Sequence, residues 1–175
     1  MRHENLEIKA RYSNFKKARD FLKANGAVFK GIDYQTDTYF KVNQGRLKLR
    51  EGNIENFLIY YERDDVYFPK KSDVLLFKAV PNSSLKEILQ RSLEILVVVD
   101  KEREIYFIDN VKFHLDRVKK LGSFLEIEAI NEDSKFVEKK LLEQCKHYMD
   151  YLQISKENLV SKSYSDMILD KKKKK

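Results

Sequence analysis

The sequence predicts an antiparallel α+β fold, and three observations carry that reading. Apolar and polar residues alternate with period two through most of the 175 positions, the pattern of strands buried on one face. Short polar joins separate the alternating runs, as antiparallel pairing allows. Three segments switch to helical period, and their apolar stripes need sheet surface to pack on.

Taken in order, NLEIKARY (5–12) is a strand with Leu6, Ile8, Ala10 and Tyr12 on one side and Asn5, Glu7, Lys9 and Arg11 on the other. Ser13 is placed to cap a helix striped by Phe15, Ala18, Phe21 and Leu22, with Gly26 just past its end. Strands follow at YQTDTYFKV (34–42), GRLKLRE (45–51), NFLIYYER (56–63) and DVLLFKAV (73–80), the first two joined by the tight turn NQG (43–45). SSLKEILQRSL (83–93) returns to helical spacing through Leu85, Ile88 and Leu89. EILVVVD (94–100), REIYFI (103–108), VKFHLDRV (111–118) and SFLEIEAI (123–130) are strands rich in Val, Ile and Phe, with IDN (108–110) as a turn. A helix from about Ser134 to Leu152 has Phe136, Val137, Leu141, Cys145, Tyr148, Met149 and Leu152 on one stripe. The expectation is eight or nine strands and three helices. No repeat or linker marks a second domain, so residues 1–170 are expected to form one unit, followed by a disordered lysine tail at 171–175.

Composition narrows the class. The chain is 42% hydrophobic, enough for a real core, and carries a net charge of +7. Five of those charges lie in the terminal KKKKK, so the remainder is densely charged but nearly balanced, and nucleic acid is not indicated. Cys145 is the only cysteine, which excludes an internal disulfide or a cysteine-based zinc site. The first residues contain no signal-like apolar region, and no apolar run approaches the ~18 residues of a membrane span. A soluble, cytoplasmic protein without a membrane partner is expected; a homodimer is left open.

The charged strand faces raise the functional question. Glu7 and Lys9 share a face, as do Lys48 and Arg50, Lys101 and Arg103, Lys112, His114 and Asp116, and Glu126 and Glu128. On any single strand, such a face ordinarily meets solvent. Across five strands, basic and acidic pairs sit on different strands, each backed by a good apolar face. If the helices cover the outside of a curved sheet, the charges turn inward, which requires a barrel wide enough for water, metal or a charged ligand. Carboxylates two apart on a strand can share Mg²⁺ or Mn²⁺, and surrounding Lys and Arg would neutralise a polyphosphate. A loop-based phosphate site fails: Gly26 to Gly31 has the P-loop glycine spacing, but Ile32 and Asp33 stand where Lys and Ser or Thr are required.

These residues also carry a family likeness. The chain resembles the CYTH superfamily, the triphosphate tunnel metalloenzymes, most closely the class IV adenylyl cyclase-like branch. The family opens with Glu-x-Glu-x-Lys; here the frame reads Asn5-Leu6-Glu7-Ile8-Lys9. The likeness continues through LKLRE (47–51), DKEREIYFI (100–108), VKFHLDRVKKLGSFLEIE (111–128) and SYSDMIL (163–169). It implies an antiparallel, eight-stranded or so β-barrel with helices outside and charges lining a tunnel. It makes Glu7, Glu126 and Glu128 the ligands of Mg²⁺ or Mn²⁺. Lys9, Lys48, Arg50, Lys101 and Arg103 become the triphosphate contacts, Lys9 and Asp116 the catalytic residues, and Asp116 the residue that orients cations or a metal-bound water. Two departures follow: Asn5 replaces a motif glutamate, and Tyr61 stands where many members have lysine, with Arg63 or Lys71 as substitutes.

Other polar residues have plainer readings. His3 and His147 are expected on the surface, and His114 as a hydrogen-bonding group in the tunnel. Ser163, Tyr164 and Asp166 are expected to fasten the C-terminal segment across the barrel mouth. The implied activity is hydrolysis of tripolyphosphate or a nucleoside triphosphate, with conversion of ATP to cyclic AMP as the alternative and a non-catalytic binding module as a third reading. A cavity crowded with cations would also repel itself when empty, so Arg50 and Arg103 are expected to serve the ligand more than the fold.

Overall fold

A computed structural model describes residues 2–63, 70–131 and 136–173, apart from the side chains of Arg2, His3, Arg63 and Lys70. Eight strands make a closed antiparallel barrel: β1 (Arg2–Arg11), β2 (Val28–Phe40), β3 (Arg46–Glu51), β4 (Phe57–Arg63), β5 (Lys70–Lys78), β6 (Ile95–Ile108), β7 (Val111–Val118) and β8 (Gly122–Asn131). The order around the ring is β1-β5-β4-β3-β2-β6-β7-β8, with β8 returning to β1. Closure leaves no unpaired edge strand.

The outer face is apolar and buried where helices cover it. α1 (Phe15–Ala24) and α3 (Glu138–Tyr151) pack on β1, β7 and β8, burying Leu6, Ile8, Phe113, Leu115, Leu125 and Ile127 against Phe15, Leu22, Leu141 and Cys145. Fully burying each such side chain stabilises by about 1.5–3 kcal/mol. α2 (Leu85–Ser92) covers Phe40 and Leu49 with its Leu85 and Leu89. α4 (Tyr164–Lys173) does something different. Its Tyr164 and Ile168 join inward-facing Tyr39, Ile59, Tyr61, Val74, Val97, Val99 and Phe124, so the barrel interior is filled at one end by an apolar plug.

Several elements differ from their sequence reading. The cap of α1 is Asn14, whose Oδ1 accepts from the Lys17 backbone N–H at 3.0 Å, and not Ser13. β2 starts at Val28 instead of residue 34, since a register shift between Phe29 and Gly31, with Gly31 at φ 126°, breaks the alternation there. β6 is one fourteen-residue strand where two runs were expected; Lys101 and Arg103 interrupt its apolar pattern because their face is not apolar. The α3 helix begins at Glu138, and the expected start at Ser134 lies outside the described residues. α4 was unforeseen, although its start is a capping box: Ser163 Oγ accepts from the Asp166 backbone N–H at 3.1 Å, and Asp166 Oδ2 accepts from the Ser163 N–H at 3.3 Å. The helix reaches Lys173, so three of the five terminal lysines continue its last turn. Among the described residues, no helix is long and apolar enough to cross a membrane.

Candidate active site

Side chains directly opposite in an antiparallel pair point to the same face, and the register turns the charged faces inward. Glu7 lies beside Glu128, which lies beside Lys112; Lys9 lies beside Glu126, which lies beside His114. Arg103 lies between Asp33 and Asp116, Arg50 beside Asp37, and Lys48 beside Tyr39. These rows enclose a cavity of about 550 Å³. Glu7, Lys9, Lys48, Arg50, Lys101, Arg103, Glu126 and Glu128 all line it.

Sequence reasoning missed the residue that gathers the basic side chains. Asp37 is fully buried and accepts from Lys101 Nζ at 2.7 Å, Lys48 Nζ at 3.0 Å, and Arg50 Nε and Nη2 at 2.8 and 3.0 Å. Burial alone would raise its pKa, but Arg50, Lys101 and Lys48 outweigh that and hold it well below the usual carboxylate range. Lys101 shows the opposite balance. Burial, with Arg50, Arg103 and Lys48 nearby, brings it down to about 7 despite Asp37. The signal for Asp37 was present in DYQTDTYF, where Asp33, Gln35, Asp37 and Tyr39 alternate on one face.

Arg103 forms the second node. Its Nε donates to Asp116 Oδ1 and its Nη2 to Glu126 Oε2, both at 2.7 Å, while Tyr164 Oη donates to Asp116 Oδ2 at 2.8 Å. Asp116 is wholly buried beneath these partners and does not line the cavity. Of the two roles expected of it, orienting cations or a metal-bound water, its contacts are those of the first: it holds Arg103. The charges of Arg50 and Arg103 oppose each other, as expected of a cation-rich cavity, but carboxylates also partner them in the empty protein. Arg50 bonds Asp37 and Glu55, and Arg103 bonds Asp116 and Glu126, so each arginine is paired in the fold.

The acidic side of the cavity is built on β7 and β8. Potential ligand atoms of His114, Glu126 and Glu128 lie within 4.8 Å of one another. Glu7 lines the cavity beside Glu128 but is not in that group; His114, read as a hydrogen-bonding residue, is. Its Nδ1 lies 3.2 Å from Glu126 Oε2, and its buried Nε2 has no hydrogen-bond partner. Burial, reinforced by Arg103 and Lys112, brings the imidazole down to about 3, so it is neutral at ordinary pH. Burial pushes Glu128 up to about 7; Lys112 opposes this, while Glu126 and Glu7 add to it. Glu126 stays well below the usual range, since Lys9 and Arg103 overcome its burial. Lys9 Nζ stands 3.1 Å from Glu126 Oε1 and 4.2 Å over the Tyr164 ring.

Glu55 was also missed, because it sits on a loop with no periodic pattern. Its Oε1 accepts from Lys112 Nζ at 2.6 Å and its Oε2 from Arg50 Nη1 at 2.8 Å. Asp33 fixes that loop by accepting from the backbone N–H groups of Ile54 and Glu55. Of the two suggested substitutes for the family lysine, Lys71 lies outside on β5, 3.3 Å from Glu4, and does not reach the cavity. The side chain of Arg63 lies outside the described ones. Tyr61 lines the cavity.

The family model described as the CYTH domain matches residues 3–164. A protein of Methanocaldococcus jannaschii named "putative adenylate cyclase" is 27% identical, covering 93% of this chain and 97% of that protein. The structure of the PH1012 protein from Pyrococcus horikoshii is 28% identical with a TM-score of 0.78, covering 93% of this chain and 98% of the other. A Hippeastrum protein described as having a dominant triphosphatase activity shares the fold at a TM-score of 0.63 and 11% identity, covering 97% of this chain and 95% of its own.

Proposed function

The chain belongs to the CYTH domain family, and from that premise we propose that it hydrolyses a triphosphate inside the barrel with the help of Mg²⁺ or Mn²⁺. The observation that carries this reading is the division of one cavity into two charged arcs. Lys48, Arg50, Lys101 and Arg103 come from β3 and β6; Glu126, Glu128 and His114 come from β8 and β7. The first arc suits the phosphoryl oxygens of a polyanion. The second suits a hard divalent cation.

The residues present fit such an ion. His114 is neutral with an unpartnered buried Nε2, and Glu128 is a partly buried carboxylate without enough neighbouring positive charge to stay fully ionised near neutrality. Oxygen and imidazole donors of this kind accept Mg²⁺ or Mn²⁺. When bound, the ion supplies Lewis-acid charge to the phosphoryl group. The chain's own groups supply the rest. Lys48, Arg50 and Lys101 hold the triphosphate oxygens and neutralise the leaving group, pyrophosphate from tripolyphosphate or the diphosphate from a nucleoside triphosphate. Arg103, held by Asp116, and Lys9, set between Glu126 and the Tyr164 ring, donate to oxygens of the phosphoryl group under attack. The barrel wall keeps these charges in a low-dielectric surrounding, where each interaction with the phosphates is stronger.

The name borne by the M. jannaschii relative favours a second reading on the same site. In it the ribose 3′-hydroxyl of ATP attacks the α-phosphorus and pyrophosphate leaves. Incubation with tripolyphosphate and with ATP, each with Mg²⁺ or Mn²⁺, separates the readings. Orthophosphate is expected, with Glu126→Gln lowering turnover and metal affinity at least tenfold. Cyclic AMP and pyrophosphate would establish the cyclase instead, and no product from either substrate would refute an enzyme.

A further inference from the structure

The carboxylates that neutralise the basic arc stand in two different places. Asp37 grips Lys48, Arg50 and Lys101, and Asp116 grips Arg103. Both are wholly buried and neither lines the cavity, so both can stay in place when a ligand enters. Glu55 is placed differently. It lines the cavity, on the loop between β3 and β4, and its carboxylate joins two strands. Its Oε2 accepts from Arg50 Nη1 on β3 at 2.8 Å, and its Oε1 accepts from Lys112 Nζ on β7 at 2.6 Å. Asp37 already takes Nε and Nη2 of Arg50, so Glu55 holds the nitrogen that remains.

A carboxylate bridging an arginine and a lysine stands where two oxygens of a phosphoryl group would stand, on donors of the same kind. Burial would raise the pKa of Glu55, but Lys112 and Arg50 outweigh it and hold the group well below the usual carboxylate range, so it is an anion. The loop backbone is held without these contacts. Asp33 accepts from the N–H groups of Ile54 and Glu55 at 2.8 and 3.0 Å, and the Asn56 side chain bonds both the N–H and the carbonyl of Gly52. A Cβ on Gly52 would meet the Asp33 carboxylate at 2.5 Å, so the glycine permits this close seat. The Glu55 side chain can therefore leave Arg50 and Lys112 without unseating its loop. It also has solvent to turn to, since 15% of its surface is open against 1% for Asp37.

We propose that Glu55 is a built-in competitor of the substrate: its carboxylate occupies a phosphate subsite made by Arg50 and Lys112, and an entering phosphoryl group displaces it into solvent. This rests on the triphosphate reading above and adds a self-occupied subsite to it. Lys112 becomes a phosphate contact once Glu55 has left. Two anions cannot share these donors without like-charge repulsion at hydrogen-bond range, so a triphosphate binds only as tightly as it outcompetes the carboxylate.

Calorimetry in chelator, where metal-dependent turnover stops, measures tripolyphosphate and ATP on the intact wild type and on Glu55→Gln. The variant keeps the length of the side chain and an oxygen that can accept from Gln35 Nε2, as Glu55 does at 3.2 Å. It should bind tripolyphosphate at least tenfold more tightly than the wild type. Adding Lys112→Met to that variant should then lower its affinity at least fivefold, because Lys112 faces the ligand directly. A second measurement needs no variant. Carbodiimide labelling of the wild-type carboxyl groups, read by peptide mass spectrometry, should modify Glu55 at least threefold faster with tripolyphosphate than without it, whereas a carboxylate that stays in place is shielded or unchanged. Equal or weaker binding by Glu55→Gln, no loss from Lys112→Met, or Glu55 labelling that stays level or falls overturns the proposal and leaves the triphosphate reading standing. If Glu55→Gln does not fold, the labelling decides. If neither tripolyphosphate nor ATP binds either protein, in chelator or with Mg²⁺, the triphosphate reading itself is refuted.

Discussion

Replacing Asp37 by Asn keeps the shape of the side chain and removes the charge on which Lys48, Arg50 and Lys101 converge. All four hydrogen bonds to its carboxylate lie between 2.7 and 3.0 Å. Removing one partner of a buried ion pair destabilises by about 3–5 kcal/mol. Here three cations lose a partner, although Arg50 retains Glu55 at 2.8 Å, so the same range of about 3–5 kcal/mol is expected. In a chain of this size 1 kcal/mol moves the midpoint by about 2–4 °C, so the empty variant should melt lower by about 6–20 °C. The loss should be reversible by ligand. A triphosphate brings negative charge to the same three cations, and in the variant it no longer meets repulsion from Asp37. Tripolyphosphate should therefore raise the midpoint of Asp37→Asn by more than it raises that of the wild type. The assay is a melting curve of each protein with and without tripolyphosphate. If the empty variant melts within about 2 °C of the wild type, or gains no more from the ligand, Asp37 does not organise the basic arc.

Two further outcomes follow from the same network. Lys101 titrates at about 7 in the fold against 10.5 in the unfolded chain; between those values the unfolded chain holds the extra proton, so this group makes stability rise with pH from about 7 to about 10.5 and leaves it flat below 7. Measured between pH 7 and 9.5, the midpoint of the wild type should gain on that of Lys101→Met, and a constant difference would refute the buried, deprotonating lysine. Arg103→Met leaves Asp116 and Glu126 without their bidentate partner and should destabilise the empty protein by about 3–5 kcal/mol, read by urea denaturation; an unchanged midpoint would show that repulsion among the cations offsets these pairs.

Strand existence, helix stripes and the inward turn of the charges were legible in the sequence because each depends on local periodicity. Leu6 and Ile8 alternate with Glu7 and Lys9, and three striped helices demand an apolar surface, so one face had to be covered and the other enclosed. The partners of the charges were not legible. Asp37 stands 11, 13 and 64 residues from Lys48, Arg50 and Lys101, and Tyr164 stands 48 from Asp116; only barrel closure brings them together. Glu55 owes its position to a loop tied down by Asp33, and loops carry no period to read. The sequence by itself therefore determined which side chains share a face, a matter of one strand's geometry. The tertiary structure alone decided which carboxylate neutralises which cation, which end of the barrel α4 fills, and which wall is left apolar. Those depend on strand order and register around a closed ring, where contacts span the whole chain and no short stretch specifies its partner.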